Sequence, residues 1–203
     1  MLYNQTLSVV LTVVLLYLSG QASGVWRQRC GKSQTGTRII GGETAVNGKW
    51  PWMAHIEFCP DQGRCYNCGG SLISDQWILT AAHCVIDKKG AIINKITANF
   101  SNYDFTYDEW NVNTFQVKQP IVHWLYKNYT LDDIALLELS EPLDLNGMGI
   151  EPICLPPADL PRPVGTQCVA TGWGDTIGNI ISPSKTLQQV TLPIANADLC
   201  ANR

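Results

Sequence analysis

Two residue types able to move protons sit in distinctive surroundings. His83 closes the run Ile78-Leu-Thr-Ala-Ala-His83-Cys84, where a strand-like apolar stretch gives way to a turn. Fifty positions later comes Asp133, preceded by Asp132 and followed by Ile-Ala-Leu-Leu-Glu-Leu139, whose interior is almost wholly apolar. Carrying a carboxylate into such a strand is costly unless donors or a cation meet it. An imidazole N–H supplies that contact, and the carboxylate in turn holds the ring tautomer and steadies the imidazolium formed during catalysis. Each residue also has a plainer role. A lone histidine at a strand end is most often structural, and an aspartate opening a strand is a common turn residue.

The elements that must position this pair belong to a chain built for export. Leu7 to Leu18 is a mostly apolar run of twelve residues, short of the roughly 20 that a helix needs to cross a bilayer. Small residues follow at Gly20, Ala22 and Gly24, so residues 1–24 are read as a signal peptide, although its first residues carry no positive side chain. No second apolar run of that length follows, and the mature chain is expected to be secreted with no membrane span. The eight cysteines are then expected to pair, as thiols do in an oxidising compartment. Asn99-Phe-Ser101 and Asn128-Tyr-Thr130 are candidate glycosylation sites on that route, whereas Asn4-Gln-Thr6 lies inside the signal. The net charge is −3 and the longest basic cluster is Lys88-Lys89, so the sequence has no nucleic-acid footprint.

Past the signal, no stretch keeps a helical period. Short runs rich in β-branched and aromatic residues span 52–58, 71–80, 91–99, 111–122 and 134–139, separated by Asn47-Gly48, Pro60-Asp-Gln-Gly63 and Lys89-Gly90. Many short strands between such turns predict an all-β sandwich or barrel. A proline-dense connector from Pro152 to Pro163 follows, then strand-like segments at 165–171 and 187–194. That pattern reads as two β units joined by a linker.

Taken in order, Trp50-Pro-Trp52, Cys68-Gly-Gly-Ser-Leu-Ile73, Thr80-Ala-Ala-His83-Cys84, Asp133-Ile-Ala-Leu-Leu137 and Thr171-Gly-Trp-Gly174 resemble the chymotrypsin/trypsin-like serine proteases, and Arg38-Ile39-Ile-Gly-Gly42 resembles their activation site. The matches run from about Cys30 to Cys200. The resemblance implies two six-stranded antiparallel β-barrels, the second truncated, and a secreted endopeptidase precursor working by a Ser-His-Asp triad. It implies a propeptide at 25–38 and a protease domain at 39–203, with a first barrel at about 39–145, a linker at about 146–164 and a partial second barrel at 165–203. His83 would be the general base and Asp133 its orienting partner, since the residue directly before Ile-Ala-Leu-Leu is the family position; Asp132 is the rival and otherwise a turn residue. Cleavage between Arg38 and Ile39 would free an α-ammonium that folds inward, and Gly41 and Gly42 suit a segment that must swing. Disulfides Cys68–Cys84 and Cys30–Cys154 follow from the same map, and Cys59–Cys65 is expected as a local bridge that departs from the commonest family pattern. Implied partners are protein or peptide substrates, an activating protease and protease inhibitors; no cofactor and no metal are implied.

Departures matter as much. Cys168 and Cys200 would pair with cysteines farther along the family's chain, and are expected to be unpaired here. No Gly-Asp-Ser-Gly-Gly segment occurs within the 203 residues, nor a G-x-S-x-G elbow. Ser182-Pro-Ser-Lys185 fits S-x-x-K only formally, and Ser71 reads as a strand residue near Cys68. The 203-residue chain is therefore expected not to hydrolyse peptides. An alternative function is a non-catalytic secreted homologue acting as a binding or regulatory protein. Cys65-x-x-Cys68 with His83 and Cys84 has a zinc-like spacing, but the export context favours disulfides. Asp104, Asp108 and Glu109 lack a spacing that dictates calcium coordination, and the loop from Asn99 to Glu109 is expected to rim the substrate cleft.

Overall fold

The computed structural model describes residues 30–33, 42–100, 104, 113–127, 131–175 and 184–196. The signal peptide, Arg38, Ile39, Asn128, Asp108, Glu109 and Cys200 lie outside them. Among the described residues nine strands alternate with a single helical turn: β1 (Glu43–Thr44), β2 (Met53–Phe58), β3 (Tyr66–Leu72), β4 (Trp77–Thr80), α1 (Ala82–Val85), β5 (Ile96–Phe100), β6 (Thr114–Val122), β7 (Ala135–Leu139), β8 (Gln167–Gly172) and β9 (Gln188–Pro193). Strands β2-β3-β4-β7-β6-β5 close into an antiparallel barrel. No helix among the described residues is long and apolar enough to cross a membrane.

Alternation builds the barrel. β7 reads Ala-Leu-Leu-Glu-Leu, and Ala135, Leu137 and Leu139 are buried while the residues between them are not, the period-2 signature of a sheet with one face inward. Ile56, Phe58, Leu72, Ile78, Leu137 and Leu139 have no accessible surface. Fully burying each such side chain is worth about 1.5–3 kcal/mol. Gly70 is required by this closure: a Cβ there would lie 2.6 Å from Ile56 Cδ1 and 2.8 Å from Ile78 Cγ2.

The structure departs from the sequence expectation in three places. The predicted run 71–80 is two strands, β3 and β4, because Ser74 Oγ accepts the backbone N–H groups of Gln76 (3.2 Å) and Trp77 (3.1 Å) and turns the chain. β3 itself was concealed by its glycines and cysteines, which carry little strand propensity. The second unit, expected as a truncated barrel, is a three-stranded sheet in the order β1-β9-β8 among the described residues. Its β1 comes from within the range assigned to the first barrel, and pairs Glu43 with Gln189 and Thr44 with Gln188.

The two units meet through side chains. Trp50 Nε1 donates to Gln189 Oε1 at 2.7 Å, and Gln189 Nε2 donates to Glu43 Oε1 at 2.9 Å. His55 of β2 meets the Trp173 ring edge-on at 5.3 Å.

Among the described residues three disulfides form: Cys30–Cys154, Cys59–Cys65 and Cys68–Cys84. Cys168 is exposed with a free thiol. Asn99, expected as a glycosylation site, is 7% exposed within β5, and its Nδ2 donates to Thr114 Oγ1 at 2.9 Å.

Candidate active site

β4 ends at Thr80, whose Oγ1 donates to the Gly69 carbonyl at 2.9 Å. Ala81 stays extended (φ −85°, ψ 145°), and Ala82–Val85 then winds one turn closed by Ile86 N–H donating to the Ala82 carbonyl at 3.2 Å. Ala82, Cys84 and Val85 are buried. A single turn can hide three residues against the barrel only by turning the fourth outward, and His83 is the fourth, its side chain 41% exposed. Cys84 is bonded to Cys68 of β3, and its carbonyl accepts the Tyr66 hydroxyl at 2.9 Å. The histidine thus sits on a turn fixed from two sides.

The aspartates precede β7 rather than lying within it. Ile134 N–H donates to the Asp132 carbonyl at 2.8 Å, a three-residue turn with Asp133 at its centre. Asp132 takes φ 53°, a left-handed conformation that aspartate tolerates better than most residues. Its carboxylate points to solvent, 3.9 Å from His123 Nδ1. Of the two candidates, Asp133 is the one brought to His83.

Both oxygens of Asp133 engage that one residue. Oδ2 lies 2.6 Å from His83 Nδ1, and Oδ1 accepts the His83 backbone N–H at 2.8 Å. Partial burial pushes the Asp133 carboxyl up. The ring and backbone hydrogen bonds from His83, its charge and the Ala82 N–H outweigh that and hold it below the usual carboxylate value of 3.8. An ionised carboxylate only accepts hydrogen bonds, so Nδ1 carries a ring proton, and in the neutral ring that leaves the lone pair on Nε2. This arrangement can abstract a proton at Nε2 and stabilise the resulting imidazolium.

Other site expectations resolve unevenly. The sulfurs nearest His83 are joined to each other, so the zinc-like set Cys65, Cys68, His83 and Cys84 is consumed by two disulfides. Asp104 forms an isolated bridge with Thr186. Tyr66 escaped the sequence reading because a tyrosine between two cysteines looks like any strand residue; its hydroxyl acts across 18 positions of sequence. His55 was likewise overlooked. Burial lowers its imidazole from 6.5 to about 4, so it is neutral near pH 7.

Comparison with known proteins agrees with this geometry. Serine proteinase stubble of Drosophila melanogaster is 35% identical over 182 residues, covering 86% of this chain and 22% of that protein, so the chain spans about a fifth of that relative's length. The solved structure of GrC superimposes with a TM-score of 0.69 at 29% sequence identity, covering 81% of this chain and 69% of that one. The trypsin family model matches residues 39–203. With a closed six-stranded barrel carrying His83 against Asp133, and a family match over most of its length, the chain belongs to the trypsin-like serine protease family.

Proposed function

We propose that this chain supplies the general base and its partner carboxylate for a secreted serine endopeptidase, made as a precursor and switched on by cleavage after Arg38. The observation that carries this reading is the two-point contact of Asp133 with His83, at 2.6 Å to the ring and 2.8 Å to the backbone. A structural histidine needs no such double anchor. The contact fixes both the tautomer and the angle of the ring.

The chemistry follows from that geometry. Nε2 of His83 takes the proton from a serine hydroxyl as its oxygen bonds to the substrate carbonyl carbon. Asp133 stabilises the imidazolium, which then returns the proton to the departing amine as the C–N bond breaks. Water repeats the sequence against the acyl-enzyme. The serine belongs to a Gly-Asp-Ser-Gly-Gly segment that these 203 residues do not contain, so the 203-residue polypeptide alone is expected to show no turnover. Cys30–Cys154 joins the expected propeptide to the linker and would keep it attached after Arg38–Ile39 is cut. Three disulfides suit an oxidising, extracellular location. The implied partners are protein substrates, an activating protease and protease inhibitors.

The test is the coding sequence beyond Arg203, expressed with this chain. A Gly-Asp-Ser-Gly-Gly segment should be present, and a serine-directed fluorophosphonate should label it only after cleavage at Arg38. His83→Ala and Asp133→Asn should each lower turnover by orders of magnitude. A verified transcript ending at Arg203 would remove the support for catalysis. It would favour the second reading, a non-catalytic secreted homologue, whose 203-residue form should be monodisperse with every thiol paired.

A further inference from the structure

His83 also stands at the end of a groove that the proton-transfer pair does not use. The groove holds about 720 Å³, a size suited to several side chains of a bound peptide. One wall is the loop closed by Cys59–Cys65, and the other is the turn Asp87-Lys88-Lys89 that follows α1. Both walls are braced. Asp87 Oδ1 accepts the backbone N–H groups of Lys89 and Ala91, each at 2.8 Å. Lys89 Nζ donates to Gln62 Oε1 at 2.7 Å and ties one wall to the other. A preformed groove of this kind loses little conformational freedom on filling.

Its charge runs against that of the chain. Arg64, Lys88 and Lys89 line it, all exposed, and Asp87 is the one carboxylate among them. One oxygen of Asp87 is already engaged by two backbone donors, while the whole chain carries a net charge of −3. Asp61, on the same loop as Arg64, lines the adjoining cavity instead. Position supplies the rest of the argument. The imidazole that accepts the nucleophile's proton delivers it to the leaving amine, so the substrate residues after the scissile bond depart from His83. The groove begins there and is lined by the first unit alone.

We propose that this groove receives the substrate segment that follows the scissile bond, and that its cationic rim selects acidic side chains there. The proposal rests on the reading of His83 as the proton-transfer group.

Short peptides with a free amino terminus, bearing Glu, Gln or Lys at their second and third positions, are titrated into nitrogen-15-labelled protein. The amide signals of Gly63, Lys89 and Gly90 report occupancy. At about 0.02 M salt the Glu peptide should bind about fivefold more tightly than its Gln counterpart, as expected for a few exposed charge contacts. The advantage should shrink toward unity at about 0.5 M salt. In the triple variant Arg64→Gln, Lys88→Gln, Lys89→Gln it should disappear. Equal binding of all three peptides to the unsubstituted protein, or binding of none, overturns the proposal without recourse to a variant. A preference that survives the triple substitution overturns it too. The downfield His83 Nδ1 proton signal in the same samples keeps the two readings apart. Its absence from the unsubstituted protein would sink the general-base reading, whereas its presence beside indifferent peptide binding removes the groove alone.

Discussion

The barrel and the three-stranded sheet use strands of similar length, yet they treat their side chains differently. β2 buries five of its six residues and β7 buries three of five. β8, Gln-Cys-Val-Ala-Thr-Gly, buries none, and Val169 is 46% exposed while Leu192 of β9, which pairs with Cys168, is 51% exposed. Composition alone does not separate these strands, since β8 contains valine, alanine and cysteine. Closure does: the six-stranded unit covers its own inner face, and β8 has no such cover among the described residues. His83 and Asp133 both hang from the closed unit, so their contact should persist independently of the sheet's state.

The contrast can be broken first by core truncation. Phe58→Ala should cost the barrel about 3–5 kcal/mol, whereas Val169→Ala on the exposed sheet should cost less than about 0.5 kcal/mol. Denaturant titration of both variants decides; comparable losses would mean that β8 is covered in solution. The joint between the units comes next. His55 is protonated near 6.5 when unfolded but only near 4 when folded, so its neutral, buried form is favourable above pH 6.5. Stability should fall as pH drops from 6.5 to 4, by of order 3 kcal/mol in all, because the unfolded chain binds the proton first. Unfolding midpoints across that window should show the slope, and His55→Leu should flatten it.

Asp133 should show a smaller effect of the same acid direction in a lower window. Its folded carboxyl titrates below 3.8, so its contribution is complete above that value and is lost as the pH falls through the folded value. The carboxyl carbon shift of Asp133 checks this, and in Asp133→Ala the His83 Nδ1 proton signal should vanish. The smallest effect should come from Cys168. Maleimide should label this exposed thiol rapidly and change the barrel's unfolding free energy by less than about 0.5 kcal/mol. A larger shift would couple the sheet to the barrel and blur the distinction between them.

Much of this was legible in the residues. The alternation in Ala-Leu-Leu-Glu-Leu139 specifies a half-buried strand, and the apolar run before His83 specifies the strand that carries it. β3 was not legible, because Gly70 serves a close approach of neighbouring strands that no local pattern records. Asn99 reads as a sequon, and only the pairing of β5 with β6 shows its amide turned inward on Thr114. The groove was invisible for the same reason: Arg64 and Lys88 are 24 positions apart in the chain, and two loops must fold beside each other to align them.

Local chemistry therefore determined the strands, the turn bearing His83 and the presence of two adjacent aspartates. Periodicity and turn-forming residues act over a few positions and are written where they act. Tertiary structure decided which aspartate meets the imidazole. Asp132 and Asp133 are the same residue type one position apart, and the left-handed turn before β7 places one in solvent and the other 2.6 Å from Nδ1. That choice depends on the register of β7 against β4, which sets the height of the turn beside α1. A register is a property of the closed barrel as a whole, because each strand is fixed by both of its neighbours.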